Sequence, residues 1–253
     1  MQSQKDQTRS PEEALPAPPR IAAPEAVRVP IGLARRAFSE ALGTALLLAA
    51  VVGSGVMGER LAAGNAAVAL LANSLATGAA LVALLLTFGP ISGAHFNPVV
   101  TLAMAVRRQL AWREVAPYIL VQGVGGLVGV WVTHYMFELP ILMTSRHART
   151  GGPQWVGEIV ATIGLLSVIF GCARARPGAG PVAVGAYITA AYWFTSSTSF
   201  ANPAVTIARA FTDTFAGIRP ADVAGFVAAQ GAGAALALAL CAWLVPARRE
   251  ESS

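Results

Sequence analysis

The longest stretch of this sequence without a charged residue covers residues 61–106, and it is too long for one membrane-spanning helix. It contains 46 residues, whereas a helix needs only about 20 residues to cross a hydrocarbon core about 30 Å thick. Other long uncharged stretches are residues 115–137, 177–208 and 223–247. Only 12% of the residues are charged, against roughly 25% in soluble domains. The pattern therefore predicts an integral membrane protein.

Six segments are predicted to cross the membrane as helices, which places both ends of the chain on one side. Their approximate ranges are 34–57, 66–88, 115–137, 155–171, 181–197 and 222–245. Thirteen of the 18 lysine and arginine residues lie on the side of the termini, so the positive-inside rule places the termini in the cytoplasm. Residues 1–33, which are polar and proline-rich, are predicted to form a disordered tail, and residues 247–253 a second cytoplasmic tail.

The surplus of uncharged residues after the second and fifth spans is predicted to fold back into the membrane. Each surplus contains an Asn-Pro pair, Asn97-Pro98 or Asn202-Pro203, followed by residues that are compatible with a helix. Proline suits the first helical turn because the N–H group that it lacks would have no partner there. Irregular backbone at membrane depth survives only where it is buried in protein or lines a water-filled cavity. We therefore expect a fold that encloses a wet path.

The channel domain, residues 34–246, is predicted to contain an internal repeat, because several short patterns recur in the same order. The matched positions are Glu40 and Glu158, Thr44 and Thr162, Asn97 and Asn202, and Gln122 and Gln230. Repeat one covers about residues 34–137 and repeat two about residues 152–246. Three spans in each repeat make the second repeat inverted relative to the first, an arrangement that forms a site near the membrane midplane.

Two half-helix N-termini that meet at the midplane would each carry about half a positive charge, which disfavours cations and hopping protons. The amides of Asn97 and Asn202 can donate hydrogen bonds to a passing neutral oxygen. We expect the carboxylates of Glu40 and Glu158 to hold backbone amides of the pore loops, with a proton relay as the alternative. His95 is expected to pin the first pore loop rather than to act as a gate.

The two segments Ser92-Gly-Ala-His-Phe-Asn-Pro-Val99 and Phe200-Ala-Asn-Pro-Ala204 lie about 105 residues apart within matching hydrophobic halves. Together with the repeated Glu-x-x-x-Thr and Gln-Gly pairs, they resemble the major intrinsic protein family of aquaporins and aquaglyceroporins. The resemblance covers roughly residues 34–245. It implies an all-α membrane fold of six helices with two pore-entering half-helices, assembled as a homotetramer with one pore per subunit. The half-helix caps would be Asn97, Pro98, Val99, Asn202, Pro203 and Ala204.

The resemblance also implies an external constriction built from four positions. Carried over by their offsets from the two Asn residues, these positions are Thr77, Ala190, Ser199 and Val205, with Tyr192 or Trp193 as the alternative to Ala190. Water-selective members of the family usually have an aromatic residue and a histidine there, and an arginine directly after the second motif. This chain has Val205 in place of that arginine. We therefore expect a wide filter that passes water, glycerol-like polyols and uncharged arsenite.

The segment from Val205 to Arg209 is similar to the bacterial branch of the family that is associated with arsenic resistance. Arg209 lies one helical turn beyond Val205 and is expected at the solvated lip of the pore, with a swing towards the mouth as the alternative.

Functions other than a passive channel are compatible with parts of this pattern. A water-selective aquaporin and a coupled secondary transporter remain as alternatives, since inverted repeats with broken helices build transporters too. No cofactor, metal ion or catalytic group is expected, because no cluster of His, Cys, Asp or Ser has a suitable spacing. The net charge of +5 indicates membrane topology rather than nucleic-acid binding.

Overall fold

The structure is a computed structural model, and residues 31–244 are described in it. Most of the predicted N-terminal tail and the whole of the predicted C-terminal tail lie outside the described residues. The described residues form eight α-helices and one 3₁₀ turn, Pro177–Ala179, and they contain no strand. In chain order the α-helices are α1 (Leu33–Leu61), α2 (Ala66–Ser92), α3 (Pro98–Val106), α4 (Trp112–Met136), α5 (Gly152–Ala175), α6 (Gly180–Phe194), α7 (Pro203–Arg209) and α8 (Pro220–Leu244).

Five of these helices, α1, α2, α4, α5 and α8, are long and apolar enough to cross a membrane. The fifth predicted span, residues 181–197, corresponds to α6, which ends at Phe194 after 15 residues. It ends there because Thr195 takes an extended conformation and the following Ser and Thr residues form a turn. The two predicted half-helices are α3 and α7, which begin at the two Asn-Pro pairs.

The second span is longer than expected, because α2 continues past Pro90 to Ser92. Proline inside a helix removes one backbone hydrogen bond, and in membrane helices such a loss is tolerated where neighbours compensate. The helix ends at Gly93, whose φ of 91° lies in the left-handed region that glycine adopts without strain.

The helices pack in the same way within each half of the chain. Helix α1 packs against α2 and α4, and α5 packs correspondingly against α6 and α8. Gly125 and Gly129 allow the closest approach of α4 to α1, since a Cβ atom at either position would collide with the carbonyl oxygen of Ala41 or Ala45. Small residues serve the same purpose at many helix contacts in membranes, where apolar burial gives no advantage over lipid.

The two halves are joined by α2 packing against α6 and by the half-helices. Helix α3 contacts α7 and also α8 from the other half, while α7 contacts α4 from the other half. The half-helices therefore lie between the two repeats. Their N-termini meet there, which is the position at which an inverted repeat forms a site.

Candidate functional site

A cavity of about 350 Å³ lies between the two halves. Along α6 it is lined by residues from Gly180 to Tyr192, which are 12 positions apart, so its length along this helix is about 18 Å. One end is lined by Ala173 and Pro177 and is called the Pro177 end below. The other is lined by Tyr192 and Arg209 and is called the Arg209 end.

Equivalent residues of the two repeats line the cavity. The lining pairs are Leu47 and Leu165, Val51 and Ile169, Val100 and Val205, and Met104 and Arg209. Most of the lining is therefore aliphatic, and the polar groups are concentrated at the half-helix N-termini and at the Arg209 end. An aliphatic wall with few polar groups binds a solute weakly, which is what rapid passage requires.

The two Asn residues meet in the middle of this cavity and are tied to each other's loops. The Nδ2 atom of Asn97 donates to the carbonyl oxygen of Ala201, and that of Asn202 donates to the carbonyl oxygen of Phe96, both at 2.8 Å. A side-chain amide carries two hydrogens on nitrogen. Both residues line the cavity, so each can offer its second N–H to a solute oxygen.

Both Asn side chains also cap their half-helices. The Oδ1 atom of Asn97 accepts from the backbone N–H of Val99 at 3.0 Å, and that of Asn202 accepts from Ala204 at 3.0 Å and Val205 at 3.2 Å. Pro98 and Pro203 occupy the first positions of α3 and α7. Capping and lining of the cavity are thus compatible roles, because the oxygen and the nitrogen of one amide serve different partners.

Glu40 is fully buried and gathers four hydrogen bonds around the first pore loop. Its carboxylate accepts from the backbone N–H groups of His95 and Phe96 at 2.9 and 2.7 Å. It also accepts from Ser92 Oγ at 2.6 Å and from Gln122 Nε2 at 2.8 Å. These donors would otherwise be unpaired at membrane depth, where each such group costs about 1–3 kcal/mol.

Glu158 is placed in the same way under the second pore loop. Its carboxylate accepts from the backbone N–H groups of Phe200 and Ala201 at 2.9 and 2.8 Å, and from Gln230 Nε2 at 2.6 Å. Thr206 Oγ1 accepts a further bond from Gln230 at 2.9 Å. The corresponding bond in the first repeat joins Gln122 to Thr101 at 3.0 Å.

Both pore loops contain non-glycine residues with positive φ at equivalent positions. These are Ala94 and Phe96 in the first loop, with φ of 49° for both, and Ser199 and Ala201 in the second, with φ of 50° and 46°. Such conformations cost about 1–3 kcal/mol each and persist only when the surroundings enforce them. The buried carboxylates supply that constraint, since each binds consecutive backbone N–H groups of its loop.

His95 is held at the base of the first pore loop. Its ring Nδ1 lies 3.1 Å from Thr101 Oγ1, and its ring centroid lies 5.4 Å from that of Tyr118. The Tyr118 hydroxyl in turn donates to the carbonyl oxygen of Ser92 at 2.9 Å. His95 also lines the cavity, so its ring combines a contact with the loop and a position on the pore wall.

Three of the four residues assigned to the constriction line the cavity, namely Thr77, Ser199 and Val205. Ala190 does not, and its assignment is wrong: it is exposed on the outer side of α6. Residues 188 and 192 line the cavity, and a residue midway between them points about 200° away around the helix. Tyr192, the alternative to Ala190, lines the cavity instead, and its hydroxyl donates to Thr77 Oγ1 at 3.3 Å.

Arg209 is not at a solvated lip, which corrects a second expectation. Its side chain is only 2% exposed and lines the cavity. The guanidinium carbon lies 3.4 Å from the centroid of the Phe200 ring, and Nε donates to the carbonyl oxygen of Ala216. The Arg209 end of the cavity therefore includes an aromatic residue and a charge, although none of the four residues inferred from the sequence is of either kind.

A second arginine lies behind Phe200, in the loop between α4 and α5. The guanidinium carbon of Arg149 is 5.1 Å from the same ring centroid, and its Nε donates to the carbonyl oxygen of Gly217 at 2.7 Å. Burial lowers the pKa of Arg149 below its ordinary value. Burial and the nearby Arg149 and Arg209 also lower the pKa of His147, so this imidazole stays neutral at pH 7.

Comparison with known proteins identifies the fold that this site belongs to. The family model described as "Major intrinsic protein" matches residues 28–196. The chain belongs to the major intrinsic protein family. It is therefore a multi-pass integral membrane protein, and it acts as a passive channel for water or small solutes.

Two relatives show how far the similarity extends. The chain is 54% identical over 217 residues to aquaglyceroporin AqpS of Rhizobium meliloti, covering 85% of this chain and 93% of the relative. It is 32% identical to aquaporin Z of Photorhabdus laumondii over 167 residues, or 60% of this chain and 71% of the relative.

A solved structure shares the fold. The aquaglyceroporin from Plasmodium falciparum superposes with a TM-score of 0.69 at 18% identity, covering 85% of this chain and 98% of that structure. At this identity the match speaks for the fold alone. The all-α bundle with two half-helices and an inverted internal repeat is the aquaporin fold.

The sequence patterns did not predict several residues of this site. Thr101 and Thr206 join the networks of the two carboxylates, and they stand four residues after the two Asn residues. That equal spacing in the two repeats is a pattern from which both threonines could have been predicted. Arg149 has no counterpart in the other repeat, so no internal pattern points to it.

Proposed function

We propose that this channel conducts small uncharged solutes, namely glycerol-like polyols, arsenite in its uncharged hydroxide form, and water. The observation that carries the proposal is Val205, which lines the cavity directly after the second Asn-Pro-Ala motif. Water-selective members of the family usually have an arginine there. An isopropyl group in place of a guanidinium removes five N–H donors and leaves more room for a solute.

The middle of the cavity favours neutral oxygen-bearing solutes over cations. Two half-helices point their N-termini at this place, and the positive ends of helices disfavour cations and hopping protons. The free N–H groups of Asn97 and Asn202 replace part of the hydration that a polyol or water molecule loses. The aliphatic wall opposite them holds the carbon backbone of a polyol without binding it tightly.

In this proposal Glu40 and Glu158 support the pore loops rather than relay protons. Both carboxylates already accept three or four hydrogen bonds, and neither lines the cavity. Carboxylate oxygens that already accept this many hydrogen bonds act as fixed acceptors for the pore loops. His95 assists the first loop through its contact with Thr101.

We further propose that the chain assembles as a homotetramer in a bacterial-type inner membrane, with both termini in the cytoplasm. Large apolar side chains form outward-facing stripes, such as Leu120, Val124, Val128 and Val132 at four-residue spacing on α4. Stripes of this kind suit lipid or a neighbouring subunit. The excess of basic residues on the side of the termini supports the orientation.

The test is solute-driven swelling of vesicles that contain the purified protein, with water, glycerol, urea and arsenite as solutes. We expect glycerol and arsenite to enter much faster than in empty vesicles. Val205→Arg should reduce the entry of both by at least about tenfold while water still passes, because the added guanidinium group narrows the passage. Val205→Ile is the matched control, since it adds bulk without charge, and should have a smaller effect.

Other outcomes would decide for the alternatives. Rapid water flux without glycerol or arsenite entry would identify a water-selective aquaporin. Glycerol or arsenite flux that saturates and follows an imposed proton gradient would identify a coupled transporter. Equal arsenite flux through the Val205→Arg variant and the unaltered protein would show that Val205 does not control the constriction.

A further inference from the structure

Arg209 is the one Asp, Glu, Lys or Arg side chain among the described residues that line the cavity. Its position is not one of the four family filter positions, and a polar residue at the end of a helix is ordinarily expected in solvent. The buried charge therefore requires an explanation, because a charge is retained inside a protein only where it is paired or has a function.

The guanidinium is fixed in place by the second pore loop and the segment that follows α7. It stacks on the Phe200 ring, and its Nε donates to the carbonyl oxygen of Ala216. The backbone carbonyl oxygen of Arg209 accepts from the N–H of Ile218 at 3.2 Å. The Phe200 ring is itself packed edge-on against Phe226, with centroids 5.1 Å apart.

The rest of the guanidinium is uncommitted. Within the described residues, neither Nη atom of Arg209 donates a hydrogen bond, and no carboxylate lies within ion-pair distance. Neither Nη atom is among the fully buried side-chain atoms that lack a partner. Four N–H donors and a full positive charge are therefore directed to the cavity rather than to the protein.

Other polar groups lie at the same end of the cavity. Ser199 lines it, although its Oγ atom is fully buried and has no hydrogen-bond partner within residues 31–244. The Tyr192 hydroxyl and Thr77 Oγ1 lie there as a bonded pair. Val205 lies one helical turn before Arg209, about 6 Å along the helix axis.

We propose that Arg209 is the charge-selecting residue of this channel's filter, placed one helical turn beyond the position at which the family usually carries an arginine. This inference rests on the proposed function, because it concerns the solutes that the filter admits. The shift separates two properties that one side chain otherwise combines. Val205 sets the width of the passage. Arg209 supplies the positive charge and the hydrogen-bond donors without narrowing the passage at the level of Val205.

The physical consequence is a channel that is wide for neutral solutes and still closed to cations. A fixed positive charge at the Arg209 end repels an entering cation before it reaches the half-helix N-termini. The two Nη groups donate hydrogen bonds to the oxygen atoms of a neutral solute as it sheds water.

The test uses the full-length protein in vesicles and measures K⁺ leak and glycerol flux in the same preparation. In Arg209→Gln the ratio of K⁺ leak to glycerol flux should rise about tenfold, the effect expected of a unit charge about 6 Å away at an effective dielectric constant of about 40. An unchanged ratio in a folded variant that still conducts glycerol overturns the proposal.

Arg149→Gln is the matched control. Arg149 contacts the same Phe200 ring from outside the cavity, so its loss disturbs the loop without removing a pore charge. Its leak-to-flux ratio should stay at that of the unaltered protein. A tenfold rise in Arg149→Gln as well would show that loop packing, and not the pore charge, excludes cations, and would also overturn the proposal.

A double variant, Val205→Arg with Arg209→Val, decides the question if Arg209→Gln does not fold. It moves the charge one turn deeper, so K⁺ exclusion should remain while glycerol flux falls about tenfold. A double variant that keeps full glycerol flux contradicts the division of roles. Failure of the proposed function is distinguishable, since the unaltered protein would then conduct no glycerol, whereas K⁺ leak of the water-conducting protein still reports on Arg209.

Discussion

The two pore loops have the same supporting network but different residues at their ends. In both, a buried carboxylate binds two consecutive backbone amides, and a glutamine amide bridges that carboxylate to a threonine on the half-helix. Yet Met104 lines one end of the cavity where Arg209 lines the other, and His95 stands where the second loop has Phe200.

This difference separates what shapes the pore from what selects the solute. The repeated network has to be the same on both sides, since each loop has the same unpaired backbone groups to satisfy. The residues at the two ends of the cavity do not have to satisfy these backbone groups, so they can differ. Among the described lining residues the charge of Arg209 lies at one end, so its proposed role makes the pore asymmetric, with the strongest barrier to cations at the Arg209 end.

The largest effect is expected when a supporting carboxylate is removed. Glu40→Ala and Glu158→Ala each leave two loop amides without an acceptor, at about 1–3 kcal/mol for each amide. Thermal unfolding in detergent should show both variants destabilised by about 2–6 kcal/mol. Glu40→Ala should be the worse of the two, because Glu40 also accepts from Ser92.

The matched control for the carboxylates is Glu59→Gln, at an exposed position near the end of α1. This variant should unfold at the same temperature as the unaltered protein. If either pore-loop variant were as stable as this control, the carboxylate that it lacks would not stabilise its pore loop.

A smaller loss is expected from the two glutamines. Gln122→Leu and Gln230→Leu each remove two hydrogen bonds between neighbouring helices, and such bonds in membranes average about 0.6 kcal/mol with a maximum near 1.7. Each variant should therefore lose about 1–2 kcal/mol, and the two losses should be equal. Gln109→Leu, at an exposed loop position, is the control. A clear inequality between the pair would show that the repeats are not equivalent even in their shared network.

The smallest effect is expected when the first loop is made to resemble the second. His95→Phe removes the ring contact with Thr101 Oγ1, which is worth about 1 kcal/mol, and keeps an aromatic ring against Tyr118. Stability measured by thermal unfolding should fall by about that amount. A loss above about 3 kcal/mol would mean that His95 stabilises the first loop about as much as Glu40 does.

Much of the arrangement was predictable because it follows from local patterns. Long uncharged stretches gave the spans and the surplus that forms α3 and α7, and Asn-Pro pairs marked where the half-helices begin. Exact helix ends were less predictable: α2 continues through Pro90, and α6 stops at Phe194. Both ends depend on neighbours that the local pattern does not contain.

The amino-acid sequence by itself determined the membrane class, the two half-helices and the repeated carboxylates, because a bilayer allows few ways to satisfy a backbone. Only the tertiary structure decided that Tyr192 rather than Ala190 faces the cavity, and that Arg209 is buried against Phe200. The reason is physical. Which face of a helix turns inward, and where a long side chain places its charge, depend on packing between segments that are distant in the sequence.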